Sequence, residues 1–207
     1  MSMELLMSLA PDREPFAGTL EIETLVRRTL AGDPTAFEGI VRKFERRIMT
    51  LSLRLLGNVQ AAEDAAQETF LRAFRYMHRL DLEKPMEPWL MQIAVNVCRD
   101  QAHKQRQLRT VFPEGRGAES ADLELRDETP DPQDELTAEE RRRALREALN
   151  LLPEKERLAL LLRDVEGFST AEVASMLGSS ETTVRSQICR GRLRLKEALD
   201  RIPGGKP

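Results

Sequence analysis

The chain has little of what most catalytic and secreted proteins are built on. Aromatic residues are 4% of 207 residues, with one Trp, two His and two Cys. Cys98 and Cys189 are far apart and show no C-x-x-C spacing, which argues against a disulfide framework or a zinc site. His78 and His103 have no ligand-spaced neighbours and read as ordinary polar positions. No apolar run approaches the roughly 18 residues of a membrane span. The opening MSMELLMSLAPD carries an acid where a secretory leader needs basic residues. A cytoplasmic protein with no membrane insertion is the expectation. There is no Gly-rich phosphate loop, nucleophile triad or metal-ligand cluster. No catalytic residue, metal or cofactor is therefore expected.

What the chain does have is helix. Leu, Ala, Arg and Glu dominate, as in helical rather than sheet proteins. The formal net charge of -3 argues weakly against nucleic-acid binding, but it hides a block pattern. Residues 34–109 hold 13 Lys/Arg against 9 Asp/Glu, residues 113–140 hold 2 against 11, and residues 141–207 hold 14 against 9. Two basic blocks flanking an acidic connector hint at nucleic-acid contact by parts of the chain.

Periodicity divides the chain further. Pro11, Pro15 and Gly18 break the N-terminal extension, residues 1–21, and a short helix fits Ile22–Ala31. Asp33-Pro34 is an N-cap with Pro at the first helical position. From there Phe37, Ile40, Val41, Phe44, Ile48, Leu51 and Leu55 form one buried stripe that ends at Gly57-Asn58. A second long helix turns Ala62, Ala65, Ala66, Thr69, Phe70, Ala73, Phe74 and Met77 inward. A connector, Leu80–Pro88, precedes a third helix opened by Trp89, with Leu90, Ile93, Ala94 and Val97 inward. Residues 113–136 lose all periodicity and read as a flexible acidic linker. Thr137 and Glu140 form a capping box that opens the C-terminal domain, residues 137–203. The fold class is all-α: two small helical domains, 22–112 and 137–203, joined by that linker. Its acids keep a tether soluble or lie against the basic faces of the domains; both readings stand.

The strongest local signal is Ser169–Leu195. Ser169 and Glu172 form a capping box, Thr170–Leu177 a short helix that stops at Gly178, and a second helix follows Ser179-Ser180. Ala174, Gly178 and Val184 supply the small crossing residue, the turn glycine and the apolar anchor of a helix-turn-helix. Thr182, Thr183, Arg185, Ser186, Cys189, Arg190, Arg192 and Arg194 follow. The N-terminal part of such a helix faces base edges, and arginine bonds guanine in a bidentate way. An ordinary helical hairpin with a solvated basic face is the plainer alternative.

Two motif sets then converge on one family. Phe168-Ser169-Thr170-Ala171-Glu172-Val173-Ala174, Leu177-Gly178, Thr183-Val184-Arg185-Ser186 and Arg190-Gly191-Arg192 resemble region 4 of the extracytoplasmic-function class of bacterial sigma factors. Leu152-Pro153, Arg157, Leu161, Arg163 and Gly167 upstream resemble it too. Independently, Glu63-Asp64, Gln67-Glu68, Phe70 and Ala73 resemble region 2.2, and Trp89-Leu90, Ile93-Ala94, Asn96 and Arg99-Asp100 resemble regions 2.3 and 2.4. The resemblance covers about residues 22–200. One departure stands out: family members often carry an aromatic where this helix has Ile188-Cys189.

The resemblance implies a factor that binds core RNA polymerase and directs it to promoters through minus-10 and minus-35 elements. It implies docking of Asp64, Gln67, Glu68 and Arg72 on the beta-prime clamp helices, with the C-terminal domain at the beta flap. It places Trp89, Asn96, Arg99, Lys104, Arg106 and Arg109 near the minus-10 element, with Asn96 holding a flipped base. Thr182, Thr183, Arg185, Ser186, Cys189, Arg190 and Arg192 fall to the minus-35 element. An anti-sigma partner is expected. Each assignment has a plainer rival: a solvated acidic stripe, a surface amide, a core Trp89. For the whole chain the rival is a stand-alone helix-turn-helix regulator that binds operator DNA as a dimer.

Overall fold

The computed structural model describes residues 19–111 and 132–201, and all regular structure among them is helical. They fall into two compact units, one holding residues 19–111 and the other 132–201.

The first unit is a bundle of α1 (Thr19–Leu30), α2 (Pro34–Leu56), α3 (Val59–Tyr76) and α4 (Met86–Val111), with a single 3-10 turn, Met77–Arg79, closing α3. The joint between α1 and α2 is built on Asp33. Its carboxylate accepts from the Thr35 amide at 2.9 Å and the Thr35 hydroxyl at 2.6 Å, while Arg28 donates to it at 2.7 Å. The Thr35 hydroxyl first, then Arg28, pull its pKa down to about 2. Pro34 then occupies a position whose amide has no helical partner. The α2 stripe of Ala36, Ile40, Phe44, Ile48, Leu51 and Leu55 is buried, and the helix ends where the Gly57 amide returns to the Leu53 carbonyl at 2.8 Å. Asn58 caps α3, its side chain accepting from the Ala61 amide at 2.8 Å.

The buried face of α3 is made of small residues: Ala61, Ala62, Ala65, Thr69 and Ala73. Helix α4 buries Leu90, Met91, Ala94, Val95, Val97 and Cys98, with Cys98 directed at Ser52 on α2. Three details differ from the sequence reading. Helix α1 begins at Thr19, so residues 19–21 are helix rather than extension. Phe74, assigned to the inner face, is 54% exposed and meets Phe37 edge-on at 5.0 Å between ring centres. Helix α4 begins at Met86, not Trp89. Pro88 looked like a breaker, but in the first turn a proline gives up no helical hydrogen bond.

The second unit comprises α5 (Pro132–Asn150), α6 (Glu154–Leu160), α7 (Thr170–Leu177) and α8 (Glu181–Leu199). Helix α5 starts five residues before Thr137, so residues 132–136 are helix rather than linker, and Thr137 lies inside it. Pro132 stands at its first position, where a proline gives up no helical hydrogen bond. The rest of the acidic stretch, and residues 1–18 of the extension, lie outside the described residues. Helix α6 runs on through one π turn, Leu161–Val165, where the Glu166 amide reaches the Leu161 carbonyl at 2.8 Å.

The caps of the helix-turn-helix are as the sequence states them. Ser169 accepts from the Glu172 amide at 3.2 Å while the Glu172 carboxylate accepts from the Ser169 amide at 2.7 Å. Gly178 ends α7 at φ 59, in the left-handed region that a side chain disfavours. Ser180 caps α8 by accepting from the Thr183 amide at 3.2 Å. Val184, Ile188, Gly191, Leu195 and Leu199 are buried along α8.

The capping box carries a measurable share of this unit. Ser169→Ala should cost about 1 kcal/mol. Hydrogen exchange should show the loss at the α7 and α8 amides and none at α2 or α3.

Candidate nucleic-acid and protein interfaces

Helix α8 has one face in the core and one in solvent. Thr182, Thr183, Arg185, Ser186, Cys189, Arg190 and Arg192 are all exposed. At about 100° per residue, Thr182, Ser186, Cys189 and Leu193 form the stripe directly opposite the buried seam. Leu193, which the sequence reading passed over, is 59% exposed on that stripe. Arg185 borders it and pairs with Glu181 one turn earlier at 2.8 Å.

Of the arginines further along, Arg190 borders the stripe on its other side, and Arg192 and Arg194 lie nearer the seam. Arg190 and Arg194 reach Glu156 at 3.3 and 2.8 Å. Arg192 makes two bonds to Asp164, at 2.9 and 2.6 Å. The Asp164 bonds, and then its negative charge, hold the Arg192 guanidinium more firmly protonated than usual. Both carboxylates are nearly buried, their side chains 8% and 4% exposed for Glu156 and Asp164. The sequence reading placed Arg190 and Arg192 among the minus-35 contacts. Their acid partners lie 34 and 28 positions away and leave no local pattern.

In the first unit the outward face of α3 has two halves. Glu63, Asp64 and Gln67 are exposed at the N-terminal half. Leu71 and Phe74 are exposed at the C-terminal half; Tyr76 is exposed at the helix end, about 200° round from Phe74, with the Arg79 guanidinium 5.1 Å from its ring centre. Arg72 does not belong to the free acidic surface. It donates to Glu68 at 2.6 Å and to Asp100 on α4 at 3.0 Å, so it ties the two helices and shares the charge of Glu68. Glu68 first, then Asp100, raise its pKa further.

On α4, Trp89, Asn96, Arg99 and Arg106 recur at seven, three and seven residues, which is one helix face. Trp89 is half-buried at the start of that face, Asn96, Arg99 and Arg106 are exposed along it, and Lys104 is exposed to one side of it. The Arg109 side chain lies outside the described residues. The cysteines differ in kind. Cys98 is buried, donates to the Ser52 hydroxyl at 3.5 Å, and has its pKa pushed up to about 11 by burial. Cys189 is exposed on the outward stripe of α8. No described helix is long and apolar enough to cross a membrane.

Known proteins share both units. Residues 40–108 match sigma-70 region 2, and residues 142–195 match sigma-70, region 4. The chain is 30% identical over 186 residues to the ECF RNA polymerase sigma factor SigM of Mycobacterium tuberculosis, which covers 87% of this chain and 86% of that protein. It is 29% identical over 180 residues to the ECF RNA polymerase sigma factor SigW of Bacillus subtilis, covering 86% and 96%. It matches only 42% of the length of a longer relative, the sigma factor RfaY of Xanthomonas campestris, at 34% identity. In fold it resembles the sigma factor RpoE from Bartonella quintana, solved in complex with the anti-sigma factor NepR. That likeness has a TM-score of 0.65 and 23% identity and covers 81% of this chain and 98% of that one. A stand-alone operator-binding regulator accounts for the second unit but not for the first. Two sigma-70 regions in chain order, shared with SigM and SigW over most of both lengths, place the chain in the extracytoplasmic-function class of RNA polymerase sigma factors, which direct core polymerase to promoters.

Proposed function

We propose that this sigma factor divides its work among the three surfaces just described. The acidic half of α3, with Asp64 and Gln67 at its centre, docks on the basic clamp helices of the polymerase beta-prime subunit. Complementary charge of that kind fixes register and speeds encounter. Glu68 and Arg72 set the angle of α3 to α4 beneath that surface. The α4 face of Asn96, Arg99 and Arg106, with Lys104 to one side, meets the minus-10 element. The Asn96 amide holds an unstacked base there and the cations hold phosphates. Thr182, Thr183, Arg185, Ser186 and Cys189 read the minus-35 element while the second unit sits at the beta flap. The factor works in the cytoplasm and adds no chemistry of its own.

The observation that carries this reading is the separation of charge by face: acids outward on α3, amide and cations outward on α4, hydroxyls and Arg185 outward on α8. An anti-sigma protein is a further partner, by analogy with the NepR complex. The exposed Leu71 and Phe74 offer it apolar surface.

Run-off transcription with purified core polymerase tests the whole. Asp64→Arg with Gln67→Arg, which leaves the Glu68–Arg72–Asp100 tie intact, should abolish co-purification with core enzyme while hydrogen exchange of α3 stays unchanged. Normal co-purification would remove the docking assignment. Arg185→Ala should lose about 1–3 kcal/mol on matched minus-35 DNA and far less on scrambled DNA. The thiols give an independent check. At pH 8 a disulfide reagent should modify Cys189 quickly and leave Cys98 untouched in the folded chain. Promoter bound to the holoenzyme should slow the Cys189 reaction, and unchanged kinetics would take Cys189 off the DNA face.

A further inference from the structure

We propose that Glu156 and Asp164 are positioning residues for minus-35 recognition: they grip α8 from both sides and set which of its faces meets DNA, through Arg190, Arg192 and Arg194.

The seam between α6 and α8 does not fix this angle alone. Along α8, Val184, Ile188, Gly191 and Leu195 are buried, and Gly191 is where the helix meets α6, at Glu156 and Leu160. Apolar burial is non-directional, so a helix held by it alone can roll at little cost. Gly191 makes the approach close: a Cβ there would lie 3.3 Å from the Glu156 carbonyl oxygen and 3.6 Å from the Glu156 Cβ. That point is a pivot. The arginines flank it. At about 100° per residue, Arg192 leaves α8 on one shoulder of the seam, and Arg194, with Arg190 beside it, leaves on the other, roughly 160° around. Glu156 takes the second pair and Asp164 takes Arg192. A roll in either direction stretches one grip, and stretching exposes the desolvation cost of a nearly buried carboxylate.

The π turn puts Asp164 in place. In an unbroken α-helix the face of Glu156 returns seven residues on, at Arg163. A π turn takes up one extra residue. With it inserted at Leu161–Val165, the same face returns at Asp164. Without it, a cation would face Arg192.

This assignment rests on the outward stripe of α8 being the DNA-reading face. It takes Arg192 out of the direct minus-35 contacts and makes a prediction of sign. If Arg192 contacts phosphate and Asp164 merely occupies it in the absence of DNA, neutralising Asp164 strengthens DNA binding. If Asp164 is a grip, neutralising it weakens recognition.

The test uses holoenzyme assembled from the full chain and a duplex recovered from a random library by wild-type holoenzyme, beside the same duplex with its upstream element scrambled. Asp164→Asn and Arg192→Met should each lower affinity for the matched duplex by roughly tenfold. They should leave the scrambled duplex within about twofold and the dependence on salt unchanged. Arg192→Lys, which keeps the charge but loses the fork, should fall between. The exchange Asp164→Arg with Arg192→Asp should recover most of the discrimination, which a merely destabilised domain would not. Tighter binding by Asp164→Asn on both duplexes, or a salt slope lowered by about one in Arg192→Met, overturns the proposal and makes Arg192 a phosphate contact. Equal losses on both duplexes, or no loss, also overturn it. Arg185→Ala separates the two levels. If it abolishes discrimination while Asp164→Asn does not, the grip alone fails; if both are silent, the reading face itself is wrong.

Discussion

Close approach of helices through small residues is the constraint on which the molecule depends. With aromatics at 4% of the chain, neither unit can fill its interior with rings. The first unit instead buries an alanine face on α3, Ala61, Ala62, Ala65 and Ala73, within the bundle. The second brings α8 onto α6 at Gly191. Short distances between axes gather many weak dispersion contacts, so small side chains supply cohesion that large ones supply elsewhere. They also leave long polar side chains near the seam within reach of the neighbouring helix.

That reach explains how a chain rich in charge stays ordered. Arg72 spans from α3 to Asp100, Arg47 pairs with Glu87, and Arg192 spans to Asp164. Exposed pairs of this type contribute little to stability. Half-buried forked pairs contribute direction, because two parallel bonds hold a plane as well as a distance.

The sequence announces boundaries better than partners. Asp33-Pro34, Gly57-Asn58, the Ser169/Glu172 box and Gly178 place the limits of α2, α3 and α7 because capping is local chemistry, readable within four residues. The starts of α4 and α5 were harder, since Pro88 and Pro132 break a helix interior but suit a first turn, and nothing nearby states which applies. Phe74 was assigned inward on periodicity. The alanines beside it complete the packing, and the ring lies over Phe37 instead. The outward hydroxyls, Arg185 and Asn96 could be picked out because helical phase alone exposes them. The destination of Arg190, Arg192 and Arg72 could not, because a charge on a helix shoulder does not reveal an acid on another helix.

The apolar end of α3 carries a cost when the chain is alone. Leu71 and Phe74 stand more than half in water. Burying side chains of this size is worth on the order of 1.5–3 kcal/mol each, and a polymerase or another protein is not the only thing able to bury them. Another copy of the chain offers the same surface, and mass action favours that encounter as concentration rises. The cost of keeping that end of α3 in water is recovered when a binding protein covers it, so burial there adds to the free energy of association.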